Sequence, residues 1–231
     1  MRGIQSLHPT RPTGLLGIPL EIRLEIYRYF LIRQEPIKLQ FLTFHPNQWP
    51  SKDDNPLNAK RRTVVLLISR QLSEEALNVL YGENVFEVAL HWGSQSILSQ
   101  FAPANRQRIR RLQILARPTG VFYGSPLNLN PHILPPILAS LTRLYIVPQQ
   151  PLEVRTFDNA PRLEQEMHKW LAWLKPVLEY VNQYVSSRAT IEVDDNDMEE
   201  TSELVKRCLP NGYRKVRTLA GDMWFMRGMF S

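Results

Sequence analysis

Cysteine is almost missing from this 231-residue chain: Cys208 stands alone. One thiol makes no internal disulfide and no zinc site, and a reducing compartment is the natural reading. Beside Leu209, near the end of an expected helix, it reads as a packed, inert thiol. Glycine is also sparse, with ten residues spread as single punctuation marks. Phosphate-cradling loops, dinucleotide fingerprints and the G-x-S-x-G elbow are all absent. The five histidines, His8, His45, His91, His132 and His168, are scattered, and none forms a metal pair at helical spacing. Long apolar runs are lacking too: the longest, Val64–Ile68, is far too short to cross a bilayer. The first 14 residues carry no apolar core of a secretory signal and read as a flexible lead-in. The expectation is a soluble, intracellular protein of the cytoplasm and/or nucleus, with no cofactor, no metal and no membrane partner; the missing motifs lower the odds of an enzyme without excluding one.

What is present suits one large or two small globular domains: 43% of residues are hydrophobic and 22% charged. The net charge of +6 is uneven, at +6 over residues 1–70, +2 over 71–150 and −2 over 151–231. Lys60-Arg61-Arg62 and the knot Arg106, Arg108, Arg110 and Arg111 could track phosphates. Neither is interleaved with the aromatics or glycines of a nucleic-acid module, so solvated faces are the simpler reading. The one dense carboxylate cluster, Asp194–Glu200, fails as a calcium loop. Counted from Asp194, its sixth residue is Glu199 and its twelfth Val205, where glycine and glutamate are needed. A helix N-terminus explains it better.

The stretch IPLEIRLEIYRYFL, residues 18–31, reads as a helix with Pro19 in its first turn. At about 100° per residue, Leu20, Leu24, Tyr27 and Leu31 share one side, and Ile22, Ile26, Tyr29 and Phe30 another. Glu21, Glu25 and Arg28 form a polar strip between them. A surface helix needs only one apolar stripe, so the second requires a cover. IKLQFLTF (37–44) reads as a strand, and a polar Pro- and Asn-rich loop follows. A second helix should end near Tyr81, with Gly82 in the left-handed position beyond it. ENVFEVAL (83–90) then alternates as a strand.

IRRLQI (109–114) and LTRLYI (141–146) share the form apolar-x-Arg-Leu-x-Ile, 32 residues apart, and ATIEVD (189–194) is a looser echo. Pro135 and Pro136 limit the helix between the first two to a turn or two. A long helix precedes the third, with a buried stripe of Leu163, Met167, Trp170, Leu171, Leu174, Leu178 and Val181, and a kink expected at Pro176. Strand–helix–strand units in series favour a parallel sheet with right-handed crossovers, and the spacing also permits an irregular leucine-rich-repeat-like arc. YRKVRTL and MWFMRG around Ala220-Gly221-Asp222 read as a C-terminal β-hairpin.

Two segments resemble a known family. Ile18-Pro19-Leu20-Glu21-Ile22, followed by Ile26 and Leu31, resembles the opening helix of an F-box. LLISRQLSEEALNVLYGENVFEV (66–88) is similar to the companion segment of a large fungal F-box-like family, through Ser69-Arg70-Gln71, Glu74-Glu75-Ala76, Leu80-Tyr81, Asn84 and Phe86. The ending, Gly221-Asp222 through Phe230-Ser231, resembles that family's usual finish. Two features depart from an ordinary F-box: Pro19 and Arg70 lie 51 residues apart, roughly twice the usual separation, and Leu72 stands where tryptophan is usual.

The resemblance implies an α/β fold with an F-box-like helical part (15–92, with an insert at 32–62) packed on an α/β interaction domain (93–231). It implies a substrate receptor that joins a target protein to a cullin-based ubiquitin ligase through an S-phase kinase-associated-type adaptor. Pro19, Ile22, Ile26 and Phe30 are the residues expected to meet the adaptor, while Leu20, Leu24 and Leu31 face the domain. The alternatives are a stand-alone interaction domain with no ubiquitin-ligase link, and basic-patch nucleic-acid binding; the second stripe either meets the adaptor or is covered by residues 32–62.

Overall fold

The computed structural model describes residues 14–39, 66, 68–90, 98–116, 130–151, 160–225 and 227. The chain divides into two compact units. Residues 1–32 and 50–80 form the first, and residues 33–49 and 81–231 the second.

The first unit is helical. A 3-10 turn (Gly14–Gly17) leads into α1 (Leu20–Leu31), with Pro19 as the residue before its first turn. Helix α2 (Arg70–Glu83) begins where the Ser69 hydroxyl accepts the Leu72 amide at 3.3 Å, a side-chain cap that satisfies one of the free first-turn donors. Leu72, Ala76 and Val79, spaced for one helix face, are buried with Tyr27 and Leu31 of α1. Leu15, Leu16, Leu24, Leu66 and Leu80 pack around them. Leu72 therefore has a core role here. Gly82 is not beyond the helix but inside it, since α2 runs to Glu83. The chain turns instead at buried Asn84, whose side-chain oxygen accepts the Arg33 amide at 2.8 Å.

The second unit is built on a six-stranded sheet, parallel throughout, with its strands side by side in chain order. They are β1 (Ile37–Lys38), β2 (Val85–Ala89), β3 (Arg111–Ala116), β4 (Arg143–Pro148), β5 (Thr190–Val193) and β6 (Arg214–Lys215). The remainder of the expected strand 37–44 lies outside the described residues, apart from Leu39. The 32-residue repeat is the register itself: Arg111 pairs with Arg143, Leu112 with Leu144 and Ile114 with Ile146. The third echo continues the row, with Leu144 beside Ile191 and Ile146 beside Val193.

Between the strands run α3 (Pro103–Arg108), α4 (Leu134–Ser140), α5 (Ala160–Tyr184) and α6 (Glu199–Cys208). Crossovers of one hand that always step the same way place their helices on one face. The core agrees: Leu112, Ile114, Leu144, Ile146, Ile191 and Val193 are buried with Ile137 and Leu138 of α4, Trp170, Leu174 and Leu178 of α5, and Val205 of α6. Pro135 and Pro136 sit in the first turn of α4, where proline costs no hydrogen bond. Pro176 lies inside α5, which spans 25 residues.

The chain end differs from expectation. Residues around Ala220–Asp222 form no hairpin: Arg214–Lys215 is the sixth parallel strand, and α7 (Leu219–Trp224) is a helix. The reason is a cap. Thr218 Oγ1 accepts the Gly221 amide at 2.8 Å while donating to Asp194 Oδ2 at 2.8 Å. Phe225, expected in a terminal strand, instead follows this helix and is buried with Ala220 against Leu115 and Val147.

Candidate partner surface

The surface is built from α1. One side of this helix is spent within its own unit, where Tyr27 is 1% and Leu31 4% exposed. The opposite side carries Ile22 at 52%, Phe30 at 51% and Tyr29 at 84% exposure, with Ile26 half-buried and Pro19 exposed at the helix start. The Tyr29 and Phe30 rings meet edge-to-face with centroids 5.3 Å apart. Leu24 and Leu31 face the core of their own helical unit, but Leu20 does not. It is exposed because it opens the first turn, ahead of the α1–α2 contact. Ile32 and Ile68 are further exposed apolar residues of this unit.

What fixes the orientation of α1 is a polar cluster that helix periodicity does not single out. Arg23 is buried, and its guanidinium forks onto the Glu75 carboxylate of α2, Nε to Oε2 at 2.8 Å and Nη2 to Oε1 at 2.7 Å. A third donor, Nη1, reaches the Ile18 carbonyl. The Tyr27 hydroxyl donates to Glu75 Oε2 at 3.0 Å, and Gln71 Nε2 to Oε1 at 3.0 Å. Bidentate arginine–carboxylate geometry is among the strongest and most directional of side-chain contacts. The Arg23 hydrogen bonds, reinforced by Gln71 and Tyr27, hold the Glu75 carboxyl down to about 2. Burial, then the Glu75 carboxylate, pushes the Tyr27 phenol up. The pointer in the sequence was Arg23 and Tyr27, one helical turn apart, set against Glu75 in Glu74-Glu75-Ala76.

The acidic cluster does two jobs. Glu199 and Glu200 occupy the first turn of α6, where negative charge is favoured. Asp194 and Asp195 are buried and tie down the chain end. Asp194 accepts the Thr218 amide at 2.6 Å and pairs with Arg227. Asp195 accepts from the Ser202 hydroxyl and the Asp197 amide, and pairs with Lys215 at 3.2 Å. Among the described residues no group of His, Cys, Asp and Glu could hold a metal ion, and no helix is long and apolar enough to cross a membrane.

Of the basic clusters, only the second lies among the described residues. Lys60–Arg62 lies outside the described residues. Arg108 donates to Asn105, Arg110 to the Gln107 and Ile109 carbonyls, and Arg111 to the Glu83 carbonyl. Trp170 is fully buried and Trp173 packs partly against the same core.

Fold and site together define an α/β protein with a chain-ordered parallel sheet and a helical unit whose first helix exposes apolar side chains. No family model, no curated protein and no solved structure matches the chain.

Proposed function

We propose that this protein is a non-catalytic interaction module, an F-box-like substrate receptor that links a target protein to a cullin-based ubiquitin ligase through an S-phase kinase-associated-type adaptor, in the cytoplasm or nucleus. The observation that carries the reading is the exposed stripe Ile22, Tyr29 and Phe30 on a helix whose other side is already buried. An amphipathic helix that offers apolar anchors to a groove in this way is a common mode of partner recognition. Pro19 sets the start of the helix and the Arg23–Glu75 fork sets its rotation, so the anchors are presented on a rigid element. Nothing in this role asks the chain to do covalent chemistry.

The test is co-purification of the full chain with the adaptor. Wild type should retain it, and Ile22→Asp with Phe30→Asp should lose it while the far-ultraviolet spectrum stays unchanged. Failure of wild type to bind, or binding by the double variant, sinks the adaptor reading. In that case the same stripe belongs to a stand-alone interaction domain, which should ignore the adaptor altogether.

A further inference from the structure

Arg111 and Arg143 are direct partners in the register of β3 and β4. Their neighbours Leu112 and Leu144 point into the helix-side core, so the two arginines lie on the other face of the sheet, and both are exposed. Like charges directly opposite one another are unfavourable, and adjacent strands are only about 4.8 Å apart. Among the described residues neither arginine makes an ion pair. Arg111 donates to the Glu83 carbonyl at 3.1 Å and Arg143 to the Tyr145 hydroxyl at 3.1 Å. Glu192, one row further on, attracts Arg143 only at longer range. A guanidinium carries five donors, so most of each fork is left for an anion.

Much of this face is already occupied. Leu115 and Val147 lie under Ala220 and Phe225, and Glu87 and Gln113 are buried and bonded to each other at 2.7 Å. On the rest of this face Arg111, Arg143 and Arg214 are exposed, and Tyr145 and Glu192 are half-buried.

We infer that this band binds an acidic stretch of a partner protein, whose carboxylates seat on Arg111 and Arg143. The inference rests on the receptor reading for taking the occupant to be a target protein, and gives that target its chemistry. Charge decides against nucleic acid. A phosphate backbone continues as an unbroken polyanion and meets the Glu192 carboxylate beside the arginine pair, whereas a peptide can place a neutral residue there. The Tyr145 ring, with the Arg143 guanidinium 6.0 Å from its centroid, offers a flat contact next to the anion site.

The experiment is fluorescence anisotropy on the full chain without adaptor, so that it can fail or succeed independently of adaptor binding. The probes are a labelled Gly-Asp-Asp-Gly-Gly-Asp-Asp-Gly peptide, its counterpart with all four aspartates replaced by asparagine, and a single-stranded oligothymidylate of equal charge. The aspartate peptide should bind and the asparagine peptide should not. Arg111→Gln with Arg143→Gln should weaken binding roughly tenfold or more, and Arg207→Gln on α6 should leave it unchanged. The paired lysine variant, which keeps both charges if the glutamine pair fails to fold, should bind several-fold more weakly because the fork is lost. No binding of the aspartate peptide at low salt, equal weakening by Arg207→Gln, unchanged affinity in the lysine pair, or tighter binding of the oligothymidylate through the same arginines would each overturn the inference.

Discussion

Gly221→Ala should destabilise the chain end, although a glycine-to-alanine change inside a helix ordinarily gains about 0.5–1 kcal/mol. A Cβ built at Gly221 falls 2.0 Å from Asp194 Oδ2 and 2.6 Å from its Cγ. Asp194 is buried, so it has no open space to retreat into. The carboxylate must move, and it holds the Thr218 amide, the Thr218 hydroxyl and the Arg227 guanidinium. Losing the Thr218 cap costs about 1 kcal/mol, and weakening hydrogen bonds to a charged group costs about 1.5–3 kcal/mol. Set against the propensity gain, the net loss should be about 1.5–3.5 kcal/mol. It should be concentrated in residues 216–225, including the seat of Phe225 on Leu115 and Val147. Amide hydrogen exchange reads the local loss, and urea unfolding reads whether it reaches the whole unit. The decisive control is Asp194→Ala, which removes the obstacle: Gly221→Ala added to it should cost nothing further. A stabilising Gly221→Ala, or the same cost in both backgrounds, would refute the argument that the carboxylate excludes a side chain here.

Two further outcomes follow from the side chains. The Glu75 carboxyl, held at about 2 by Arg23 and then by Gln71 and Tyr27, binds its proton less readily in the folded chain than in the unfolded one, where its ordinary value is 4.5. Its contribution to stability is therefore whole above 4.5 and fades as pH falls from there toward about 2. Glu75→Gln should lower stability at pH 7 by about 1–3 kcal/mol and flatten that acid limb in urea titrations at a series of pH values; an unchanged limb counts against the cluster. Burial pushes the Cys208 thiol up, so a thiol-exchange reagent at pH 8 should label the native protein slowly and the urea-unfolded protein at once. Fast labelling of the native chain would show that α6 opens.

The helical elements were legible where periodicity ran long. Trp170, Leu174, Leu178 and Val181 are buried along α5 at the spacing their sequence shows. The Arg-Leu-x-Ile echo at 32 residues became two adjacent strands in register, because a repeated strand–crossover unit that steps by one strand brings equivalent positions side by side. The chain end departs from its local pattern for a physical reason: Ala220-Gly221-Asp222 has the composition of a hairpin turn. Here the glycine serves the approach of the Asp194 carboxylate, and the Thr218 cap starts a helix. Gly82 has the pattern of a helix stop yet lies inside α2, because a glycine within a helix and one just beyond it look alike in sequence.

By itself, then, the sequence determined the class of fold, the parallel pairing of its repeated strands and the two-sided character of α1, since hydrophobic period and spacing are local properties. Only the tertiary structure decided which polar residues are buried. Arg23 with Glu75, and Asp194 with Arg227, are ion pairs between segments 52 and 33 residues apart. A charged side chain leaves water only when its partner is brought to it, and no local pattern in the chain records that meeting.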